Sequence, residues 1–265
     1  MKKVLAVVLA AIAAITMTAA LTSCTKDEKK TVTIGYTLYD PMNYEDENGE
    51  LIGFDTDLAK AVFENLGYEP VFKLIDWKNK YVDLNSGTID CVWNGFTSNA
   101  KDDDGIERSE KVDFSYNYME NQQVIVIKEG TAIATAEDLN GKSCAVEGGS
   151  AGESYAADFE GANIKAVPYQ TDALMEVNAG TKDFAVVDVL LAKSMCGKGD
   201  YANLKMVDAL ASDVEFYAIG FKKDSELTAN VNAQLEALAA DGAITTIAKK
   251  YGVENTAIID FSNQK

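Results

Sequence analysis

Arg108 is the single arginine in a chain that carries 23 lysines and no histidine. A guanidinium presents a planar fork that grips a carboxylate through two parallel hydrogen bonds, which an ammonium cannot copy. The complementary anion is Asp188, at the end of the apolar run Phe184 to Val187. Two further segments carry polar groups of the right kind. Asn94-Gly95-Phe96-Thr97 follows the apolar run Ile89 to Trp93, and Gly148-Gly149-Ser150-Ala151 leads into a helical stretch. A glycine-rich helix start aims backbone N–H groups outward, as an anion requires. Tyr39 and Trp77 lie in neighbouring loops. A free amino acid needs this set: a cation and oriented N–H groups for its carboxylate, an anion and acceptors for its ammonium. Each residue also has a plainer reading, with Asp188 and Ser150 as helix N-caps and Trp77 as core.

The absence of histidine removes Ser-His-Asp and Cys-His catalysis, His-ligated metal sites and histidine pH switching. The run Asp102-Asp103-Asp104-Gly105 lacks the full spacing of a calcium loop and reads as a solvated insertion. No metal and no cofactor are expected, and the chain is expected to bind rather than to catalyse. The formal charge of −18 would be repelled by phosphate backbones, so nucleic acid is not an expected partner.

The elements that position these residues alternate strand and helix. Val32 to Tyr36 reads as a strand. Phe54 to Leu66 places Phe54, Leu58, Ala61, Val62 and Leu66 on one helical face and stops at Gly67. Val71 to Ile75 is a strand, Trp77 to Asn85 a helix, and Ile89 to Trp93 a strand. A second series runs Val124 to Ile127, Ser143 to Val146, Lys165 to Val167 and Phe184 to Val187, with helices between. Tyr217 to Phe221 reads as a return strand before two striped helices. Such alternation implies parallel sheets covered by helices, with ligands at the carboxyl ends of the strands. Two series imply two lobes, 31–120 with 216–265 and 121–213, joined by two crossover strands.

The N-terminus has a basic start (Lys2, Lys3), an apolar run Val4 to Ile15, and then Leu21-Thr22-Ser23-Cys24. That order resembles a bacterial lipobox, which implies a signal peptide over 1–23, acylation of Cys24 and a polar tether over 24–30. The expected location is extracytoplasmic, with a lipid anchor in the cell membrane. Cys91 and Cys144 sit in apolar runs and read as buried free thiols, while a Cys144–Cys196 disulfide stays open.

Residues 32 to about 252 resemble the polar-amino-acid family, family 3, of bacterial solute-binding proteins. The resemblance rests on Tyr-x-Pro-Met-x-Tyr (39–44), the stretch from Asp46 through Gly-Phe-Asp to Ala61, Asp76-Trp77, Ser-Gly-Thr-Ile-Asp (86–90), Gly-Phe-Thr (95–97), Glu-Arg-x-x-Lys-Val-Asp-Phe-Ser (107–115), Glu-Asp-Leu-x-Gly-Lys (137–142) and Asp-x-Ala-Val-Val-Asp (183–188). It implies an α/β, two-lobed periplasmic-binding-protein-like (type II) fold, each lobe a doubly wound sheet. The implied function is binding of a polar neutral or cationic amino acid by a monomer, for delivery to an ABC transporter permease. By the same resemblance Arg108 forks onto the ligand carboxylate, helped by the N–H groups of Ser150 and Ala151. Thr97 and the Gly95 carbonyl accept from the ammonium, and Asp188 is its counter-ion. Tyr39 and Trp77 wall the side-chain pocket, and Tyr36 and Glu147 stand where they could set selectivity. The gap from Gly95 to Arg108 is longer than the family's, so Arg108 must loop back to the site. The alternatives are a dehydratase-like enzyme of the same fold, or a sensor docking on a signalling receptor.

Overall fold

The computed structural model describes residues 30–102 and 104–264. The segments expected to be a signal peptide (1–23) and a tether (24–30, with Cys24) lie outside them but for Lys30. The first strand, β1 (Lys30–Tyr36), buries Val32 and Ile34 and runs into a loop with a cis Asp40–Pro41 bond, after which β2 (Tyr44–Glu45) and β3 (Leu51–Ile52) form a short antiparallel pair. Helix α1 (Phe54–Asn65) follows and buries Phe54, Leu58, Ala59, Val62 and Phe63. Their spacing of three and four residues is that of one helical face. Strands β4 (Tyr68–Leu74) and β5 (Cys91–Val92) flank β1, with helix α2 (Lys80–Ser86) between them in sequence. β1 and β5 run parallel, with Ile34 opposite Cys91. The sheet is completed by β14 (Gly220–Phe221) and β6 (Asp113–Phe114), in the order β4-β1-β5-β14-β6.

The second sheet has the order β10-β9-β11-β8-β12, from β8 (Gln123–Lys128), β9 (Ser143–Glu147), β10 (Asn163–Val167), β11 (Phe184–Asp188) and β12 (Leu204–Val207). β9, β10 and β11 are parallel, but β8 runs antiparallel to both β11 and β12. Both sheets are therefore mixed, where alternation alone predicts parallel ones. The antiparallel members, β8 and β14, are the strands on which the chain enters one sheet or returns to the other. The return segment, expected as one strand over 217–221, is two. β13 (Glu215–Tyr217) pairs with β7 (Met119–Asn121), and β14 pairs with β5 and β6. β7 and β13 form a two-stranded antiparallel ribbon at the points where the chain passes between the sheets. The last helices, α7 (Glu226–Ala240) and α8 (Ala243–Lys250), pack against α1.

Cys91 and Cys144 are buried and Cys196 half-buried, and all three thiols are free, so the Cys144–Cys196 bridge is not formed. Among the described residues no helix is long and apolar enough to cross a membrane.

Candidate functional site

The loops leaving the carboxyl ends of β5, β9 and β11 meet at one cavity. Its walls are Trp77, Asn94, Gly95, Thr97, Arg108, Glu147, Ser150, Ala151, Gln170 and Asp188. Nine of these are residues expected from the sequence, and Gln170 is the addition. The site lies where doubly wound sheets place their ligands, beyond the strand ends.

Gly95 makes the first wall possible. Its φ of +57° is a left-handed conformation, and a Cβ there would meet the rings of Tyr39 at 2.7 Å and Tyr217 at 3.1 Å. The loop is held from behind by Asp55, whose Oδ2 accepts from the Gly95 N–H at 3.0 Å and the Tyr118 hydroxyl at 2.9 Å. Burial pushes the Asp55 carboxyl up to about 7 against those two bonds. Asn94 lines the cavity, yet its amide is fully committed. It donates to the Thr37 carbonyl at 2.8 Å and to Asn43 at 2.7 Å, and accepts from the Thr37 hydroxyl at 2.7 Å.

Arg108 reaches the site despite the long gap, because the acidic insertion folds inward. Asp102, expected in solvent, is only 12 % exposed and takes the Arg108 Nε at 2.9 Å. A tight turn closes the insertion, with the Gly105 N–H donating to the Asp102 carbonyl at 2.8 Å. Arg108, the first residue of the short helix α3 (Arg108–Lys111), is 1 % exposed. Its Nη1 donates to the Thr97 carbonyl and its Nη2 to the Gly149 carbonyl, both at 3.3 Å. Its guanidinium lies 5.3 Å from the centre of the Phe96 ring. An aromatic face under a cation is an attractive contact.

Gly149 receives a second cation. Lys80, on α2, donates to the same carbonyl at 2.9 Å and lies over the rings of Trp77, Tyr81 and Phe96. Burial, then the nearby Arg108 charge, pushes its ammonium down to about 7. One carbonyl following a strand of the second sheet is thus clasped by two cationic groups attached to the first. Nothing in the sequence set Lys80 apart from the other 22 lysines.

The anionic side is a network. Asp188 ends β11 and is 4 % exposed. Its Oδ1 accepts from the amides of Asn121 and Gln123, its Oδ2 from that of Gln170, and its own N–H donates to the Gln170 Oε1 at 2.9 Å. It stands at the N-cap position of helix α6 (Val189–Met195), but its side chain makes no capping bond there. A second carboxylate, Glu215 on β13, accepts from Asn121 at 2.6 Å, Gln123 at 2.8 Å and the Thr97 hydroxyl at 3.1 Å. Burial raises both carboxyls. Asp188 is held above its ordinary range, and Glu215, with the Asp188 charge adding, is pushed up to about 7. Two like charges sharing two amides resist ionising together.

Several expected positions are occupied differently. The Ser150 N–H, assigned to a ligand carboxylate, already donates to the Glu147 carbonyl at 3.3 Å, and its hydroxyl caps helix α4 (Ala151–Ala157) by accepting from the Glu153 N–H at 3.1 Å. The plainer N-cap reading therefore describes Ser150. Ala151 keeps its place in the first turn, where N–H groups have no acceptor within the helix. Tyr39 does not line the cavity. It sits behind Gly95 with its hydroxyl 2.7 Å from that of Tyr217. Tyr36 is likewise outside, edge-on to Phe72 at 6.2 Å. Trp77 both lines the cavity and packs edge-on against Phe96 in a buried cluster. Glu147 lines the cavity, 3 % exposed, with no partner for its Oε1. Among the described residues no cluster of His, Cys, Asp or Glu could hold a metal ion.

The family model described as bacterial extracellular solute-binding proteins, family 3, matches residues 32–254. The arginine-binding extracellular protein ArtP of Bacillus subtilis is 29 % identical over 95 % of this chain and 98 % of its own. The L-cystine-binding protein TcyA of the same organism is 26 % identical over 87 % of this chain and 84 % of its own. Among solved structures, an ancestral arginine-binding protein bound to arginine superposes with a TM-score of 0.76 at 34 % identity, covering 83 % of this chain and 97 % of that one.

Proposed function

This chain belongs to the bacterial extracellular solute-binding proteins of family 3, and on that premise we propose that its cavity takes up one free polar amino acid, neutral or cationic, for delivery to an ABC importer. The observation that carries the reading is the charge layout of the enclosed space. Arg108 faces it from one sheet, and Asp188 faces it from the other. A zwitterion satisfies both at once, its carboxylate on the guanidinium and its ammonium beside Asp188. Thr97 supports the same pose, because its hydroxyl proton is given to Glu215 and its lone pairs are left for the ammonium. Binding between two sheets joined by the β7–β13 ribbon is suited to hinge-like closure. Residues 31–120 with 216–265, and residues 121–213, are the lobes that would close.

The finer reading follows from the sequence alone. Residues 1–23 are a signal peptide, Cys24 is acylated, and the monomer is tethered by residues 24–30 to the outer face of the cell membrane. Intact-mass measurement of membrane-extracted protein tests this, and retention of Met1 or an unmodified Cys24 refutes it. The amino-acid reading is tested by a thermal-shift screen of the free amino acids. A ligand present at a hundred times its Kd stabilises the native state by about 2.7 kcal/mol. For a chain of this size that raises Tm by roughly 5–10 °C. No shift with any amino acid at millimolar concentration refutes the reading.

A further inference from the structure

The cavity holds one more carboxylate than a zwitterion uses. Asp188 answers the ligand ammonium, and Arg108 answers its carboxylate. Glu147 is left over, buried at the end of β9 with Oε1 unpartnered inside the cavity wall. Native proteins rarely leave a buried polar atom without a partner, and each such atom calls for an explanation. Resting on the amino-acid reading above, we propose that Glu147 is the specificity residue for the ligand side chain, and that the ligand is a basic amino acid whose guanidinium or ammonium docks on Glu147 beside the Trp77 indole.

The groups around Glu147 support this. The nearest cation, Lys80 on α2, spends its ammonium on the Gly149 and Trp77 carbonyls at 2.9 and 3.4 Å, and makes no ion pair with Glu147. Thr37, in the loop after β1, gives its hydroxyl proton to Asn94. Asp188 at the end of β11 and Asp76 before α2 both face Glu147 with like charge. Arg108 is engaged by Asp102, and Glu215 lies on the far side of the Asn121 and Gln123 amides. No protein cation therefore pairs directly with Glu147; the Lys80 charge and the Thr37 hydroxyl favour its ionised form, but burial outweighs them and keeps the carboxyl raised. A cationic side chain arriving there would gain an unshared carboxylate in a dry site, with an aromatic face for additional attraction. A neutral side chain would leave the carboxyl protonated, since burial pushes it up to about 8. Docking of a cation thus exchanges one proton for one positive charge: the Glu147 O–H bond breaks, the proton passes to solvent, and the carboxylate pairs with the ligand.

The test is calorimetric titration at pH 7 with arginine, lysine and glutamine, in two buffers of different ionisation enthalpy, on the wild type and on Glu147→Gln. In the wild type a basic amino acid binds at least about tenfold more tightly than glutamine, and releases close to one proton more per ligand bound. In Glu147→Gln both differences disappear. The wild-type preference and proton count are read without the variant, so a misfolded variant leaves the inference exposed to refutation. Glutamine binding as tightly as arginine and lysine, or a Glu147→Gln protein that keeps the basic preference, overturns it. Heat from none of the three ligands overturns the amino-acid reading and this inference with it, whereas binding of glutamine alone overturns only the role of Glu147.

Discussion

Asp188→Asn separates binding from stability, because the two respond to different parts of the same network. The carboxylate is an acceptor only, facing three amide donors from Asn121, Gln123 and Gln170. An asparagine must put an NH₂ where one oxygen was. Keeping its oxygen toward Asn121 and Gln123 sets NH₂ against the Gln170 amide. Gln170 cannot simply flip, since its Oε1 already holds the Asp188 N–H. One donor is left facing another, a cost of about 1–3 kcal/mol. Against this, the substitution removes one of two buried like charges, and Glu215, which the Asp188 charge pushes upward, is relieved. These effects oppose each other, so the ligand-free Tm should move by less than about 5 °C. Binding has no such compensation. Removing the counter-ion of a desolvated ammonium costs about 2–5 kcal/mol, or at least thirtyfold in Kd. Calorimetric titration and thermal melts on the same preparation measure both. Affinity within threefold of wild type refutes the assignment of Asp188 to the ligand ammonium. A large loss of Tm accompanying lost affinity refutes the argument that the two terms offset.

Three further substitutions test the surroundings of the cavity. Arg108→Lys should weaken binding by roughly thirtyfold, because one ammonium cannot serve Asp102, Thr97, Gly149 and a ligand carboxylate together; titration measures it. Glu215→Gln keeps an oxygen for the Thr97, Asn121 and Gln123 donors and removes only charge. It should stabilise the ligand-free protein at pH 8 while weakening binding by about 1 kcal/mol, or severalfold, seen in melts and titration together. Asp55→Asn bears on pH. A carboxyl raised from 3.8 to about 7 binds its proton more tightly in the native state, so stability falls as pH rises from about 4 to 7 and then levels off. The whole effect is at most roughly 4 kcal/mol. Asparagine can keep an oxygen toward Gly95 and Tyr118, so the difference in Tm between pH 5 and pH 7.5 should shrink in the variant. An unchanged difference refutes the role of Asp55.

Much of this is legible in the amino-acid sequence. The apolar runs that became β1, β8, β9 and β11 are short, bounded and rich in branched residues, and those of β9 and β11 lead directly into residues that line the cavity. What was not legible depends on contacts distant in sequence. Glu215 reads as one more acidic residue in an acidic chain, because its partners Asn121 and Gln123 are about ninety residues away. Gln170 opens helix α5 (Gln170–Ala179) as any polar residue could. Asp102 reads as solvated from its neighbours, and only the turn at Gly105 brings it onto Arg108. β12 escaped notice because Lys205 interrupts its apolar pattern. The return segment read as one strand because its composition is continuous, whereas the chain changes pairing partner between Tyr217 and Gly220.

The clasp on the Gly149 carbonyl also bears on signalling contrast. A hydrogen bond from a charged donor contributes about 1.5–3 kcal/mol, and one from a Lys80 drawn toward neutrality by burial about 0.5–1.5 kcal/mol, so parting the two sheets would give up roughly 2–4.5 kcal/mol at this one carbonyl. A receptor whose two sheets are tied in this way would need less work from its ligand to close, which raises apparent affinity. It also presents the importer with a shape closer to the loaded one, which narrows the difference between full and empty. Lys80 and Arg108 thus set two quantities in opposition, sensitivity to scarce cargo and freedom from futile engagement. Loosening either contact would trade the first for the second without touching any group that reads the ligand side chain.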